Sequence, residues 1–307
     1  MKRIAITGAE GFIGKWILKQ SGRNHNFRLL LNPESKDITK LNDNYETVFP
    51  DNNIDSLSKA LRDSDAVVHL AAKRPDSKDE VSRINDYFFN ISYCANLFEA
   101  ARVNSISNII NISSQSVYGS ADKQPYSEEE EARPDSYYGL SKKTGENIAD
   151  LYIRKFGMKI KSLRLAQLIG LGERKGYMVS NFINKAAAGE TIQVWGEGAG
   201  RRIYVYVKDV VRAVFAALEH EETTGAFNIA MPLNVSHKEL ALAMNEAFGN
   251  SGNLEFLRDK KEDSSVLSID VSKARKVLGF ETEYDLNKAA RDLKNEYERS
   301  QNNSNNE

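Results

Sequence analysis

Three glycines spaced three apart, Gly8, Gly11 and Gly14, follow directly on a short apolar run, Ile4–Thr7. No other feature of the chain narrows its fold so far. A strand that stops at Thr7-Gly8 and continues as a helix from Phe12 needs small residues at the bend. Gly8 permits the tight turn, Gly11 lets a ligand approach the backbone, and Gly14 lets helix and strand pack closely. The first turn of such a helix presents unpaired amides and the positive end of its dipole, a setting that suits a pyrophosphate. The usual dinucleotide fingerprint places its first two glycines one residue closer. Gly8-Ala9-Glu10-Gly11-Phe12-Ile13-Gly14 is therefore a variant, and its weight comes from the strand–turn–helix context.

The pattern continues beyond the turn. Apolar runs at Ile4–Thr7, Phe27–Leu31, Thr47–Phe49, Ala66–Ala71 and Asn108–Ile112 alternate with stretches of helical spacing such as Phe12–Gln20, Ile54–Leu61 and Asp86–Arg102. This alternation predicts an α/β fold, a doubly wound parallel sheet with helices on both faces. From about Leu165 the elements shorten and glycine-rich loops intervene, which predicts a smaller mixed α/β lobe at the C-terminal end. The division reads as residues 1–165 and 166–299, with a part near 203–230 returning to the first unit and a disordered polar tail over 300–307. Ser236-His237-Lys238-Glu239 matches a capping box and opens a helix toward Phe248. The acidic run Glu128–Glu131 reads as a solvated loop.

Composition excludes several classes. A formal net charge of −1 gives no basic field for a nucleic acid. The single cysteine, Cys94, rules out an internal disulfide and lies in an apolar stretch that suits core packing. His69 falls within a strand as a packed or hydrogen-bonded residue, and His25, His220 and His237 show no metal-ligand spacing, so no metal is expected. No apolar run approaches the ~20 residues of a membrane span, and no secretory leader is evident. A cytoplasmic setting is the expectation.

A second constellation carries chemistry. Tyr138 and Lys142 stand four residues apart in a stretch of helical character, so they share one helix face. An ammonium beside a phenol favours the phenolate, which a general base at neutral pH requires. Ser114, at the end of the fifth apolar run, can hydrogen-bond a substrate oxygen while the tyrosine moves a proton.

With these residues in order, the chain resembles the extended short-chain dehydrogenases of the NAD-dependent epimerase/dehydratase family, the group containing UDP-sugar 4-epimerases. The likeness runs from Met1 to about Phe280. It rests on Thr7-Gly8-x-x-Gly11-Phe12-Ile13-Gly14, His69-Leu70-Ala71-Ala72, Asn90 with Asn96–Ala101, Ser113-Ser114-x-x-Val117-Tyr118-Gly119 and Tyr138-x-x-x-Lys142. Leu163-Arg164, Arg202 with Tyr206–Val210, and Asp270-x-Ser272-Lys273-Ala274 extend it.

The resemblance implies a Rossmann fold, a nucleotide-sugar substrate linked to UDP, a bound NAD and a homodimer paired through two helices of the sheet domain. It makes Tyr138 the base, Lys142 its tuning partner and holder of the nicotinamide ribose, and Ser114 the group that positions the C4 oxygen. Asp51 and Asn52 resemble residues near adenine. Leu70, Ala71, Ala72 and Lys73 resemble those lining the middle of the cofactor, and Asn90 matches a position near it. Gln115 and Ser116 fall beside the sugar, Gln167 near its phosphate, and Gln193 and Trp195 near the base. Arg202 resembles the arginine of the diphosphate, with Lys260 or Lys261 as a second contact.

Four departures matter. Gln167 replaces a common Asn, Ile203 a common Asp, and Ile169-Gly170-Leu171 the usual Tyr-Gly-Pro. Gln115-Ser116 stands where 4,6-dehydratases carry Asp-Glu, which argues against that reaction. At the end of the second strand, where an acid usually meets the adenosine ribose, the chain has Asn32 followed by Pro33. Asn32 does not repel a 2′-phosphate, and Lys36 or Arg28 would supply positive charge, so NADP stays open beside NAD. The leading expectation is a 4-epimerase. A 4-keto-sugar reductase needs the same three residues, and a non-catalytic cofactor sensor is the remote alternative.

Overall fold

The computed structural model describes residues 2–21, 25–32, 34, 45–75, 83–119, 124–174 and 176–304. Strand β1 (Arg3–Thr7) leads through the glycine turn into helix α1 (Phe12–Ser21), and β2 (Asn26–Leu30), β3 (Glu46–Val48), α2 (Ile54–Ala60) and β4 (Ala66–His69) follow. Then come α3 (Phe88–Val103), β5 (Asn108–Ser114), α4 (Tyr137–Phe156), β6 (Lys159–Leu165), β7 (Gln167–Ile169) and α5 (Met178–Ala188). The remaining elements are β8 (Ile192–Trp195), β9 (Arg201–Arg202), β10 (Tyr204–Tyr206), α6 (Val207–Glu219), β11 (Gly225–Ile229), β12 (Val235–Ser236), α7 (His237–Ala247), β13 (Leu254–Leu257), α8 (Ser272–Leu278) and α9 (Leu286–Ser304).

Seven strands form one parallel sheet in the order β11-β6-β5-β4-β1-β2-β3. The order reverses between β1 and β4, and a crevice opens beyond the carboxyl ends of the strands at such a switch point. Alternate side chains of each strand feed two cores. Ile4, Ile6, Val68 and Ile110 pack with Trp16 and Ile17 of α1 and Val210 and Val214 of α6. Ala5, Val67 and Ile109 pack on the opposite face with Leu57 of α2, Leu97 and Phe98 of α3 and Ala149 of α4. Burial on both faces explains why these strands read as unbroken apolar runs instead of alternating ones. Cys94 belongs to the second core, and burial pushes its thiol up to about 12.

The chain beyond β6 builds three two-stranded sheets, β7 with β10, β9 with β12, and β8 with β13, and sends β11 back to the main sheet beside β6. Ser236 caps α7 reciprocally with Glu239, at 3.1 Å and 2.7 Å. Two local expectations are corrected. Glu128 is not a plain solvated acid: its carboxylate accepts Asn228 N at 2.6 Å, and burial raises its pKa. Helix α9 continues through Ser304, so residues 300–304 are helical where polarity alone suggested a tail. Residues 305–307 lie outside the described part.

Candidate active site

The glycine turn is built as the spacing required. Gly8 has φ +70, and a Cβ there would lie 2.7 Å from Ala71 N. Gly14 rides on Ala9, where a Cβ would come within 2.5 Å of the backbone. Gly11 N closes the bend onto Gly8 O at 3.0 Å, and Gly11 itself is exposed. Leu70 and Ala72 leave β4 beside the turn, and Ala71 N donates to Thr7 Oγ1 at 3.2 Å. His69 shares a 2.8 Å hydrogen bond with Thr7 Oγ1 and is buried, which holds its imidazole down at about 3. It is a neutral structural residue, as its place in the strand implied.

Other residues expected near a cofactor have structural work. Asn90 clamps Lys73, accepting its N at 2.7 Å and donating to its carbonyl at 2.9 Å, and also donates to Ser141 Oγ at 3.1 Å. It thereby fixes the loop after β4. Asn52 joins α3 through Ser92 and Asn96, while Asp51 is exposed at the start of α2. Arg28 is corrected as a source of charge for a 2′-phosphate. Its guanidinium is committed to the carbonyls of Ala60 and Arg62 and to Glu46. Lys36 and Pro33 lie outside the described residues.

Helix α4 carries Tyr138 and Lys142. Ser136 caps it, accepting Gly139 N at 3.1 Å. Gly139 lets its first turn press on the loop after β5, since a Cβ there would fall 2.2 Å from Ser116 O. That close approach brings Tyr138 to the cleft that Ser114 also lines. Lys142 is buried, and its Nζ donates to Ile112 O at 2.7 Å. Ser114 Oγ accepts Ser116 N at 3.1 Å. One helical turn deeper, Glu146 takes a two-pronged bond from Arg164 of β6, at 2.9 and 2.8 Å, and accepts Ser113 Oγ at 2.6 Å. Arg164 also donates to Tyr118 Oη at 2.9 Å, so α4, β5 and β6 are locked in one buried network.

These groups meet in one cleft of about 360 Å³ that also takes in Ile13, Gln115, Ser116, Gln167 and Arg202. Gln115 Oε1 is buried there without a hydrogen-bond partner among the described residues. Arg202 donates to the carbonyls of Arg201 and Ser265 and pairs with Asp263. Support for this arginine therefore comes from a different loop, and Ile203 is free to join the core. Gln193 and Trp195 face outward on β8, with Gln193 bonded to Glu255 at 2.9 Å, and Lys260 is exposed past β13. None of these three lines the cleft.

Sequence reasoning missed Arg74, Pro75, Glu173 and Tyr177 on the cleft wall. Arg74 pairs with Glu173 at 3.2 Å, and Tyr177 donates to Pro75 O at 3.0 Å. Only the short run after Ala72 and the Gly-rich loop at Gly170–Gly172 hinted at them. Among the described residues no group of three or more His, Cys, Asp or Glu could hold a metal ion. No helix of the described part is long and apolar enough to cross a membrane.

A glycine turn and a Tyr-Lys helix face at the switch point of one parallel sheet fit a short-chain dehydrogenase of the extended kind. This chain belongs to the NAD dependent epimerase/dehydratase family, whose sequence pattern matches residues 4–230. It is similar to a UDP-N-acetylglucosamine 4-epimerase from Bacillus cereus, with 33% identity, 95% of each chain covered and a TM-score of 0.84. A UDP-glucose 4-epimerase from Thermotoga maritima, solved with UDP-glucose, is 25% identical over 97% of this chain and 99% of its own, with a TM-score of 0.86. A UDP-glucose 4-epimerase of Mycolicibacterium smegmatis is 26% identical over 92% of this chain and 95% of its own length.

Proposed function

We propose that the chain is an NAD-dependent 4-epimerase of UDP-linked hexoses or N-acetylhexosamines. The observation that carries this reading is the meeting of Ser114, Tyr138 and Lys142 in one cleft beside the glycine turn, with Gln115-Ser116 in place of a carboxylate pair. The turn fits a dinucleotide: Gly8 and Gly14 leave no room for a Cβ, and the exposed Gly11 leaves the backbone open to a pyrophosphate. Gly8, Gly11, Phe12, Ile13 and Leu70 to Ala72 would hold it.

A bound NAD would supply the acceptor for a hydride from C4 of the sugar and the donor for its return to the opposite face. The chain's own residues do the rest. Tyr138 takes the proton of the C4 hydroxyl, with the Lys142 ammonium 6.0 Å from the centre of its ring. Ser114 holds the C4 oxygen while it becomes a carbonyl, and reversal of the same proton transfer gives the epimer. Arg202, a planar guanidinium on the cleft wall, suits the substrate diphosphate, which would take the place of its present partner Asp263. Exposed Tyr137, Leu140 and Leu151 share one face of α4 and support a homodimer through α3 and α4.

Relatives also include sugar-nucleotide dehydratases and reductases, and a 4-keto-sugar reductase would use the same trio. Denaturing the purified protein and identifying the released nicotinamide, then incubating fresh protein with UDP-N-acetylglucosamine or UDP-glucose, separates the two. Retained NAD+ and inversion at C4 without added cofactor are expected. NADPH consumption only with a 4-keto sugar, and no epimer, would overturn the epimerase reading.

A further inference from the structure

The second strand of the sheet ends without an acid, since Asn32 stands where a carboxylate usually meets the adenosine ribose. The glycine turn supplies one from the other side. Glu10 Oε1 lies 3.4 Å from Asn32 N, which places its carboxylate at the end of β2. The second oxygen, Oε2, is buried and has no hydrogen-bond partner among the described residues. An unmet buried carboxylate oxygen is costly, and a donor arriving with a ligand would relieve it.

Among the described residues no cation forms an ion pair with Glu10. Asn32 Oδ1 already accepts Glu34 N at 3.0 Å. Tyr93 lies close enough to sense the negative charge: its pKa is raised by burial first and by Glu10 second. Arg28, the cation on β2, is turned away to the carbonyls of Ala60 and Arg62 and to Glu46.

We propose that Glu10 selects NAD over NADP, its open carboxylate oxygen accepting a hydrogen bond from an adenosine ribose hydroxyl and its charge excluding a 2′-phosphate. A ribose hydroxyl is a donor and satisfies Oε2. A phosphate ester offers no proton at neutral pH and sets negative charge against negative charge in a partly buried site. Asn32 therefore does not open the site to NADP, because the missing charge of β2 is restored by the loop beside it. The inference needs only the nicotinamide site and holds for an epimerase and a reductase alike.

The test is a titration of nucleotide-free protein with NADH and with NADPH, followed by energy transfer from tryptophan to the reduced nicotinamide. The wild type is expected to bind NADH on the order of 100-fold more tightly than NADPH. Glu10→Gln keeps the shape and removes the charge. It is expected to weaken NADH about 10-fold, the scale of one charge-assisted hydrogen bond, and to narrow the ratio at least as much. Glu10→Ala should narrow it likewise without an amide that could form a bond of its own. Equal affinities in the wild type, or full discrimination retained in both variants, would overturn the proposal. Binding of NADH without discrimination fails this proposal alone, whereas binding of neither nucleotide overturns the nicotinamide site with it.

Discussion

The Nζ of Lys142 donates to the carbonyl oxygen of Ile112 at 2.7 Å, which ties α4 to the strand that ends in Ser114. With the close approach at Gly139 and the bond from Ser113 to Glu146, it holds the proposed base near the proposed oxygen-binding serine. Tyr138→Phe keeps the ring that packs edge-on against Tyr87, with centroids 6.2 Å apart, and removes only the hydroxyl. It should lower kcat by about 10²–10⁴-fold, the range of a lost general base, with the affinity for NADH little changed. Near-normal turnover in this variant would remove Tyr138 from the mechanism.

Glu146 and Arg164 form a buried ion pair, and Ser113 and Tyr118 satisfy part of what remains. Removing one partner strands the other charge, so Glu146→Ala should cost about 3–5 kcal/mol. Urea unfolding reads this as a lower midpoint with an unchanged slope. Glu146→Gln keeps the bond from Ser113 and loses the charge, and should fall between. A midpoint shift below about 1 kcal/mol in Glu146→Ala would show that α4 is held by packing and not by this network.

Gly8 and Gly157 share a left-handed backbone, at φ +70 and +67, but not their surroundings. Nothing lies within 4 Å of a Cβ on Gly157, whereas one on Gly8 would meet Ala71 N at 2.7 Å. Gly157→Ala should therefore cost only the conformational strain, about 1–2 kcal/mol. Gly8→Ala adds a backbone clash and should lose more stability together with dinucleotide binding. Equal losses in thermal unfolding would mean that the turn can shift away from β4.

The parallel sheet, the glycine turn and the Tyr138–Lys142 face were legible because each follows from local pattern: doubly buried runs, a bend without Cβ, and helical spacing. What the sequence hid depends on contacts between distant segments. The position of Asn90 could be matched to a family site, but its bonds to Lys73 and Ser141 could not be foreseen. Arg28 looked available, but carbonyls of the α2 end claim it. Arg74 and Glu173, 99 residues apart, could not be paired without the fold. Gln193 and Trp195 were placed by likeness alone, and strand alternation turns both outward on β8.

The buried imidazole of His69 gives the protein a specific weakness toward acid. Burial first, and the nearby Lys142 ammonium second, lower its pKa from 6.5 to about 3. Between those values an unfolded chain binds a proton that the folded chain refuses. Stability from this site is complete above pH 6.5 and is lost as the pH falls toward about 3, at a slope of up to ~1.4 kcal/mol per unit. Carboxylates add their own dependence, so the informative quantity is a difference between proteins. His69→Gln can still bond Thr7 and does not titrate. Urea midpoints at pH 7.5, 6 and 5 should therefore fall less steeply in His69→Gln than in the wild type. The gap should open only below about pH 6.5, where the ordinary imidazole begins to take a proton. Parallel curves would mean that the folded protein admits the proton and that His69 is less sealed than its packing against Tyr93 and Phe98 indicates.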